Sequence, residues 1–189
     1  MKPLLALLSM GTLFAAQHLV EGAPKSPVRV VIYEDLQCPD CADFRIVLDT
    51  RLLPKYGSRV AFEHRDFPLA KHAWARQAAV AARYFARINL DLAVAWRTYA
   101  LANLRSITLD GFPGTLAQFA QDHGQDPTKA VASLQDKSLQ AQVEEDFQEG
   151  VARGIAHTPT ALVNGHPFIE TFTFEEISQA IDAELAAAK

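Results

Sequence analysis

The 189-residue sequence predicts an α/β domain: a β-α-β unit, a helical insertion at about residues 72–154, then a β-β-α unit. Three observations carry this. A β-branched run, Val28 with Val30-Val31-Ile32-Tyr33, leads straight into an amphipathic stretch with Phe44, Val47, Leu48 and Leu52 on one face. From His72 to Gly154, apolar residues recur almost throughout at helical spacing. Near the end, Thr160-Ala161-Leu162-Val163, Asn164-Gly165 and Pro167-Phe168-Ile169 read as strand, two-residue turn and strand.

Taken in order, the chain begins with Lys2 and the apolar stretch Pro3–Ala16, too short for a comfortable membrane span. This reads as an export leader, cut near Ala16 or after Gly22, or kept as a short anchor. Residues 1–22 are therefore expected to be signal peptide or short anchor, and residues 23–189 one domain. Residues 17–27, with Gly22, Pro24 and Pro27, read as a linker. The first strand and its helix follow, and the helix is expected to stop before Pro54. The second strand runs from about Arg59 to the Asp66-Phe67-Pro68 turn, parallel to the first.

Within the insertion, Trp74, Ala78, Ala81, Phe85 and Ile88 mark one helical stripe, and Leu92, Trp96, Tyr99 and Ala100 the next. Gly111-Phe112-Pro113-Gly114 breaks the run before a shorter helix with Leu116, Phe119 and Ala120. Asp126-Pro127 is an N-cap followed by proline at the first helical position, opening a helix with Val131 and Leu134. Leu139, Val143, Phe147 and Val151 form the last stripe, closed by Gly154. These aromatics read as core packing rather than a cofactor box. Thr173-Phe174-Glu175-Glu176 is a capping box, stapled by Phe172 and Ile177, for a final helix burying Phe174, Ile177, Ile181 and Leu185.

A formal net charge of -4 gives no reason to expect nucleic acid as a partner. The 49% hydrophobic content is enough for a core without covalent staples. The only two cysteines, Cys38 and Cys41, flank Pro39 and Asp40, so a structural disulfide framework is excluded. Strand, short turn and CxxC at a helix start is the arrangement a thiol redox centre needs. The helix N-terminus favours a thiolate at Cys38, and Cys41, one turn on, is placed to resolve a mixed disulfide. No metal is expected, because zinc needs about four ligands and the histidines lack H-x3-5-H spacing. His157-Thr158-Pro159-Thr160 precedes the returning strand. Proline in that place suits a cis Thr158–Pro159 turn that shows backbone groups to an extended segment, although an ordinary trans loop satisfies the tetrapeptide alone.

Cys38-Pro39-Asp40-Cys41 after a strand, Arg65-Asp66-Phe67-Pro68-Leu69 after the next, the helical insertion, and His157-Thr158-Pro159-Thr160-Ala161-Leu162-Val163-Asn164-Gly165 together resemble the DsbA-like branch of the thioredoxin superfamily, from residue 28 to about 186. The resemblance implies a thioredoxin fold and an exported, monomeric thiol:disulfide oxidoreductase. It implies no cofactor beyond a redox-active Cys38–Cys41 disulfide. Pro159 becomes the cis-proline facing it, and Thr158 the residue that tunes redox behaviour and touches substrate. The implied partners are exported proteins with thiols or disulfides and a membrane quinone-linked reoxidising protein. An extracytoplasmic place, periplasmic or secreted, fits the leader.

Three departures from that family's pattern bear on tuning. The position six before the first cysteine, acidic in many relatives, is Ile32, which leaves water or nearby Glu34 to serve Cys41. Asp40 stands where the strong oxidants have histidine, and an anion there disfavours the Cys38 thiolate, for a less oxidising centre. His157 replaces a small residue and is expected near Cys38, donating to it. Two alternatives remain: a reductase or isomerase of the same fold, and a non-enzymatic peptide-binding chaperone using the insertion as a groove.

Overall fold

The computed structural model describes residues 18–188, so the leader expectation for residues 1–17 lies outside it. At the centre is a five-stranded sheet ordered β1-β3-β2-β4-β5. Its strands are β1 (Val20–Gly22), β2 (Arg29–Glu34), β3 (Ala61–Asp66), β4 (Thr160–Val163) and β5 (His166–Ile169). β2 and β3 are parallel, with Val30 opposite Phe62 and Ile32 opposite His64. β4 runs antiparallel to β2, and β5 forms the far edge, where Pro167 does no harm to an inner ladder.

Strand alternation sorts the side chains onto two faces. Val30, Ile32, Phe62, Ala161 and Val163 pack under α1 (Pro39–Val47) and α8 (Phe174–Ala187), meeting Phe44, Ile177 and Ile181. On the opposite face Tyr33 and Leu162 pack with Phe67, Phe147 and Ile155 beneath α7 (Lys137–Ala152). That approach is close: a Cβ added at Gly150 would stand 2.7 Å from the Phe67 ring.

The insertion contains α3 (Ala75–Ile88), α4 (Leu90–Ala102), α5 (Phe112–Asp122), α6 (Pro127–Ala132) and α7. Its core is aromatic. Trp96 meets Phe112 and Phe119 edge-on, with centroids 5.9 and 5.0 Å apart. Each such pair contributes about 0.5–1.5 kcal/mol beyond burial. Trp96 Nε1 donates to the Ala78 carbonyl at 2.9 Å, which satisfies the buried indole and ties α4 to α3. Leu36, Cys38 and Cys41 belong to this same cluster, so the cysteines sit where the insertion meets the sheet.

Several expectations need correction. Val20-Glu21-Gly22, read within a linker, is an edge strand antiparallel to β3. Three residues are too few for alternation to announce a strand. The first helix does not stop before Pro54; a widened π turn over Leu48–Leu52 carries the chain into α2 (Leu53–Tyr56). Pro54 then falls in the first turn of α2, where proline is tolerated. Gly111-Phe112-Pro113-Gly114 is the start of α5 rather than a gap before it. Ile88 and Val151, placed on buried stripes, are exposed. The turn at Asn164-Gly165 has positive φ at both residues, as a two-residue hairpin requires, and the capping box at Thr173 and Glu176 forms in both directions.

Candidate active site

Cys38 is the N-cap of α1 in extended conformation, with Pro39 at the first helical position. The helix therefore starts at the reactive sulfur, and its free N–H groups face it. Both cysteines are free thiols and both are buried. The Thr158–Pro159 bond is cis, and the Cys38 thiol donates to the Thr158 carbonyl at 3.3 Å. The structure thus brings together four of the residues singled out in the sequence, Cys38, Cys41, Thr158 and Pro159, while Pro39 is exposed at the start of α1.

The two thiols are made unlike. Cys38 is lowered to about 6, chiefly by the Cys41 thiol donating to it; burial opposes this, and the Thr158 side chain and the N–H groups of Cys41 and Asp40 add to it. Cys41 is raised well above its ordinary value by burial first, then by Cys38 and the field of Glu34. Ionisation therefore falls on Cys38, which gives up its proton and its bond to the Thr158 carbonyl, while Cys41 stays protonated.

Asp40 and His157 sit differently from what the sequence led one to expect. The Asp40 side chain is exposed, and the residue acts on Cys38 through its main-chain N–H. His157 is exposed and its Nδ1 pairs with Glu170 Oε1 at 3.0 Å; the expected bond to Cys38 is absent among the described residues. Glu170 in turn donates its N–H to the Pro159 carbonyl at 2.8 Å. Beside Asp40 lies a cleft of about 200 Å³, lined by Asp43, Phe44, Val47, Thr171 and Phe172. Among the described residues no three His, Cys, Asp or Glu side chains gather as a metal set.

Behind the cysteines runs a buried ion network that sequence reasoning missed. Glu34 pairs with His64 Nδ1 and with Arg97 Nη2 at 3.0 Å. Arg97 also holds Asp66 at 2.7 Å, and Asp66 holds Arg83 at 2.6 Å, which reaches Asp146 on α7. His64 Nε2 meets Glu21 Oε1 at 2.8 Å, and Glu21 closes onto Arg45 of α1. With a carboxylate at each ring nitrogen, both of which must donate, His64 is an imidazolium; burial opposes its charge, but Glu34 and Glu21 outweigh that and raise its pKa. Glu34 is held well below the usual carboxylate range: burial works against ionisation, and Arg97 and His64 override it. Glu34 therefore reaches the Cys41 side as a fixed anion. Strand parity with Ile32, two residues earlier, is a signal in the sequence that puts Glu34 on that face and that sequence reasoning did not use.

A family model described as Thioredoxin matches residues 15–183. Among solved structures, oxidised BdbD from Bacillus subtilis superposes with a TM-score of 0.76 at 23% identity, covering 89% of this chain and 93% of that one. Alpha-DsbA1 from Wolbachia pipientis gives 0.78 at 17%, covering 89% and 91%, and DsbA from Chlamydia trachomatis 0.73 at 18%, covering 98% of both. At those identities they establish the fold. Among curated proteins, Na(+)/H(+) antiporter NhaA 3 of Salinispora tropica is 28% identical over 171 residues, covering 90% of this chain and 25% of the antiporter. NhaA 1 of Salinispora arenicola is 26% identical over the same shares. The chain thus spans about a quarter of the length of these curated relatives. Sequence match and architecture agree: the chain belongs to the thioredoxin family, and its fold, with a helical insertion, is that of the BdbD and DsbA structures.

Proposed function

We propose that this chain is a thiol:disulfide oxidoreductase that forms or exchanges disulfides in exported proteins. The observation that carries the reading is the inequality of the two buried thiols opposite the cis-prolyl turn, with Cys38 at about 6 and Cys41 held protonated. In the oxidising direction, a client thiolate attacks Cys38 Sγ of the Cys38–Cys41 disulfide. The client–Cys38 bond forms, the Cys38–Cys41 bond breaks, and the electron pair goes to Cys41, which takes a proton. A second client thiolate then attacks the client sulfur and expels Cys38 as a thiolate. The client loses two electrons to the pair and leaves with a disulfide. A low-pKa Cys38 is a good leaving group in that second step. Main-chain groups of the Thr158–Pro159 turn and the cleft beside Asp40 are the surfaces a client segment would meet.

Cys38 is lowered only to about 6, against about 3.5 for DsbA, which supports a centre less oxidising than the strongest members of the family. Export rests on the leader, and the position of Glu21 supports a cut upstream of His18, since a cut after Gly22 would remove β1 and the Glu21 carboxylate from Arg45 and His64. Among the described residues no helix is long and apolar enough to cross a membrane. A membrane quinone-linked protein is the proposed reoxidant, and the working form is a monomer.

The test is the reduction potential of the pair in glutathione buffers, with oxidation of a reduced two-thiol peptide by stoichiometric oxidised protein. A potential clearly above thioredoxin's, about -270 mV, together with peptide oxidation lost in Cys38→Ser, is the expected result. A potential at thioredoxin's level moves the reading to a reductase, and unchanged peptide handling by Cys38→Ser moves it to a chaperone.

A further inference from the structure

The residue three before Cys38 touches both cysteines. Asp35 is 1% exposed. Its carbonyl accepts from the Cys38 N–H at 3.0 Å, and its own N–H donates to Cys41 Sγ at 3.4 Å. The carboxylate faces three donors. One oxygen accepts from the Gln37 N–H at 2.7 Å; the other accepts from the Leu69 N–H at 2.7 Å and from His72 Nδ1 at 2.8 Å. Gln37 Oε1 accepts from the Trp74 N–H at 2.7 Å. Residues 35–37 are therefore fastened to residues 69–74, the passage from β3 into α3.

We infer that Asp35 is a positioning residue for the thiol pair: anchored through its carboxylate by Leu69 and His72, it aims a main-chain N–H at the sulfur of Cys41. The inference rests on the oxidoreductase reading above. Its chemical content lies in the steps where Cys41 carries charge. When a client thiolate opens the disulfide, the electron pair arrives on Cys41 in a buried place, where an unpaired anion is costly. In the reverse step Cys41 gives up its proton, attacks Cys38 of the mixed disulfide, forms the Cys38–Cys41 bond and releases the client as a thiolate. A fixed donor at the sulfur favours the anion in both directions, and one held in place beforehand needs no rearrangement at the moment of reaction. A carboxylate is the group that suits three converging donors. An asparagine offers one acceptor oxygen and turns an N–H₂ towards N–H groups on its other side. Charge-assisted bonds are also roughly twice as strong as neutral ones.

The experiment loads glutathione onto Cys38 and follows its release by Cys41 in stopped flow, in the unmutated protein, Asp35→Asn and His72→Gln. Alkylation of Cys38 by iodoacetamide is read beside it. Release is expected to slow about tenfold in Asp35→Asn and two- to threefold in His72→Gln, which keeps the Leu69 bond, while Cys38 alkylation changes less than twofold in either. Equal release rates in folded Asp35→Asn and unmutated protein, with only the melting temperature lowered, overturn the inference. If Asp35→Asn does not fold, His72→Gln decides alone, and an unslowed release overturns it. If the unmutated protein itself exchanges nothing with glutathione, the oxidoreductase reading fails and this inference falls with it.

Discussion

Arg97→Met is the sharpest probe of the charges buried behind the cysteines. Arg97 is 3% exposed and makes three bonds: Nε and Nη2 to Glu34 Oε1 at 3.2 and 3.0 Å, and Nη1 to Asp66 Oδ1 at 2.7 Å. Methionine keeps most of the apolar stem, so the change is chiefly electrostatic. Glu34 retains His64 and Asp66 retains Arg83, yet both buried acids lose a cation they face. Breaking a buried pair from one side costs about 3–5 kcal/mol. For a domain of this size each kcal/mol lowers Tm by about 2–4 °C, so a fall of roughly 6–20 °C is expected. The pH dependence carries the mechanism. In the unmutated protein the folded pKa of Glu34 is depressed from 4.5 to about 2, so its stabilising contribution is present above pH 4.5 and is lost as pH falls towards 2. The variant lacks most of that contribution, so the gap between the two proteins should be full at pH 7 and narrow as the pH falls through 4.5. Urea unfolding at pH 7, 5, 4 and 3 reads it. A gap that is small at pH 7, or the same at every pH, refutes the reasoning.

Two further outcomes follow from the geometry. Alkylation of the reduced protein should rise with pH around a midpoint of about 6, report Cys38 alone, and vanish in Cys38→Ser; because the folded pKa of Cys38 is depressed from 9.0, the reduced protein should also gain stability as pH rises from 6 towards 9 and lose it below 6, as thermal melts would read. Gly150→Ala should cost about 1–3 kcal/mol, because its methyl would press the Phe67 ring at 2.7 Å and Tyr33 at 3.1 Å; an unchanged melting curve would show that the rings give way freely.

The features legible in the sequence are those written within a few neighbouring residues. The hairpin at Asn164-Gly165, the capping box at Thr173, the Asp126 cap and the CxxC helix start each declare themselves through local backbone chemistry. The order of the units was already in the residue pattern, and the resemblance added the pairing of Pro159 with Cys38. What stayed hidden depends on partners far apart in the chain. Glu34, His64, Arg83, Arg97 and Asp146 look like ordinary solvated residues singly, and only the fold shows that each buries against another. Asp35 is hidden in the same way, since its carboxylate answers to Leu69 and His72. His157 shows the opposite error: its position in sequence placed it beside Cys38, but Glu170, thirteen residues on, takes its ring.

The ion network bears on any attempt to trim this protein to a minimal redox module. Arg83 and Arg97 lie on α3 and α4, while the acids they neutralise, Glu34 and Asp66, lie on central strands. Excising the helices would strip counter-ions from beneath the half that carries the cysteines, and a graft onto another scaffold would have to bring its own. The two parts share a single charge balance, so neither is a detachable accessory to the other.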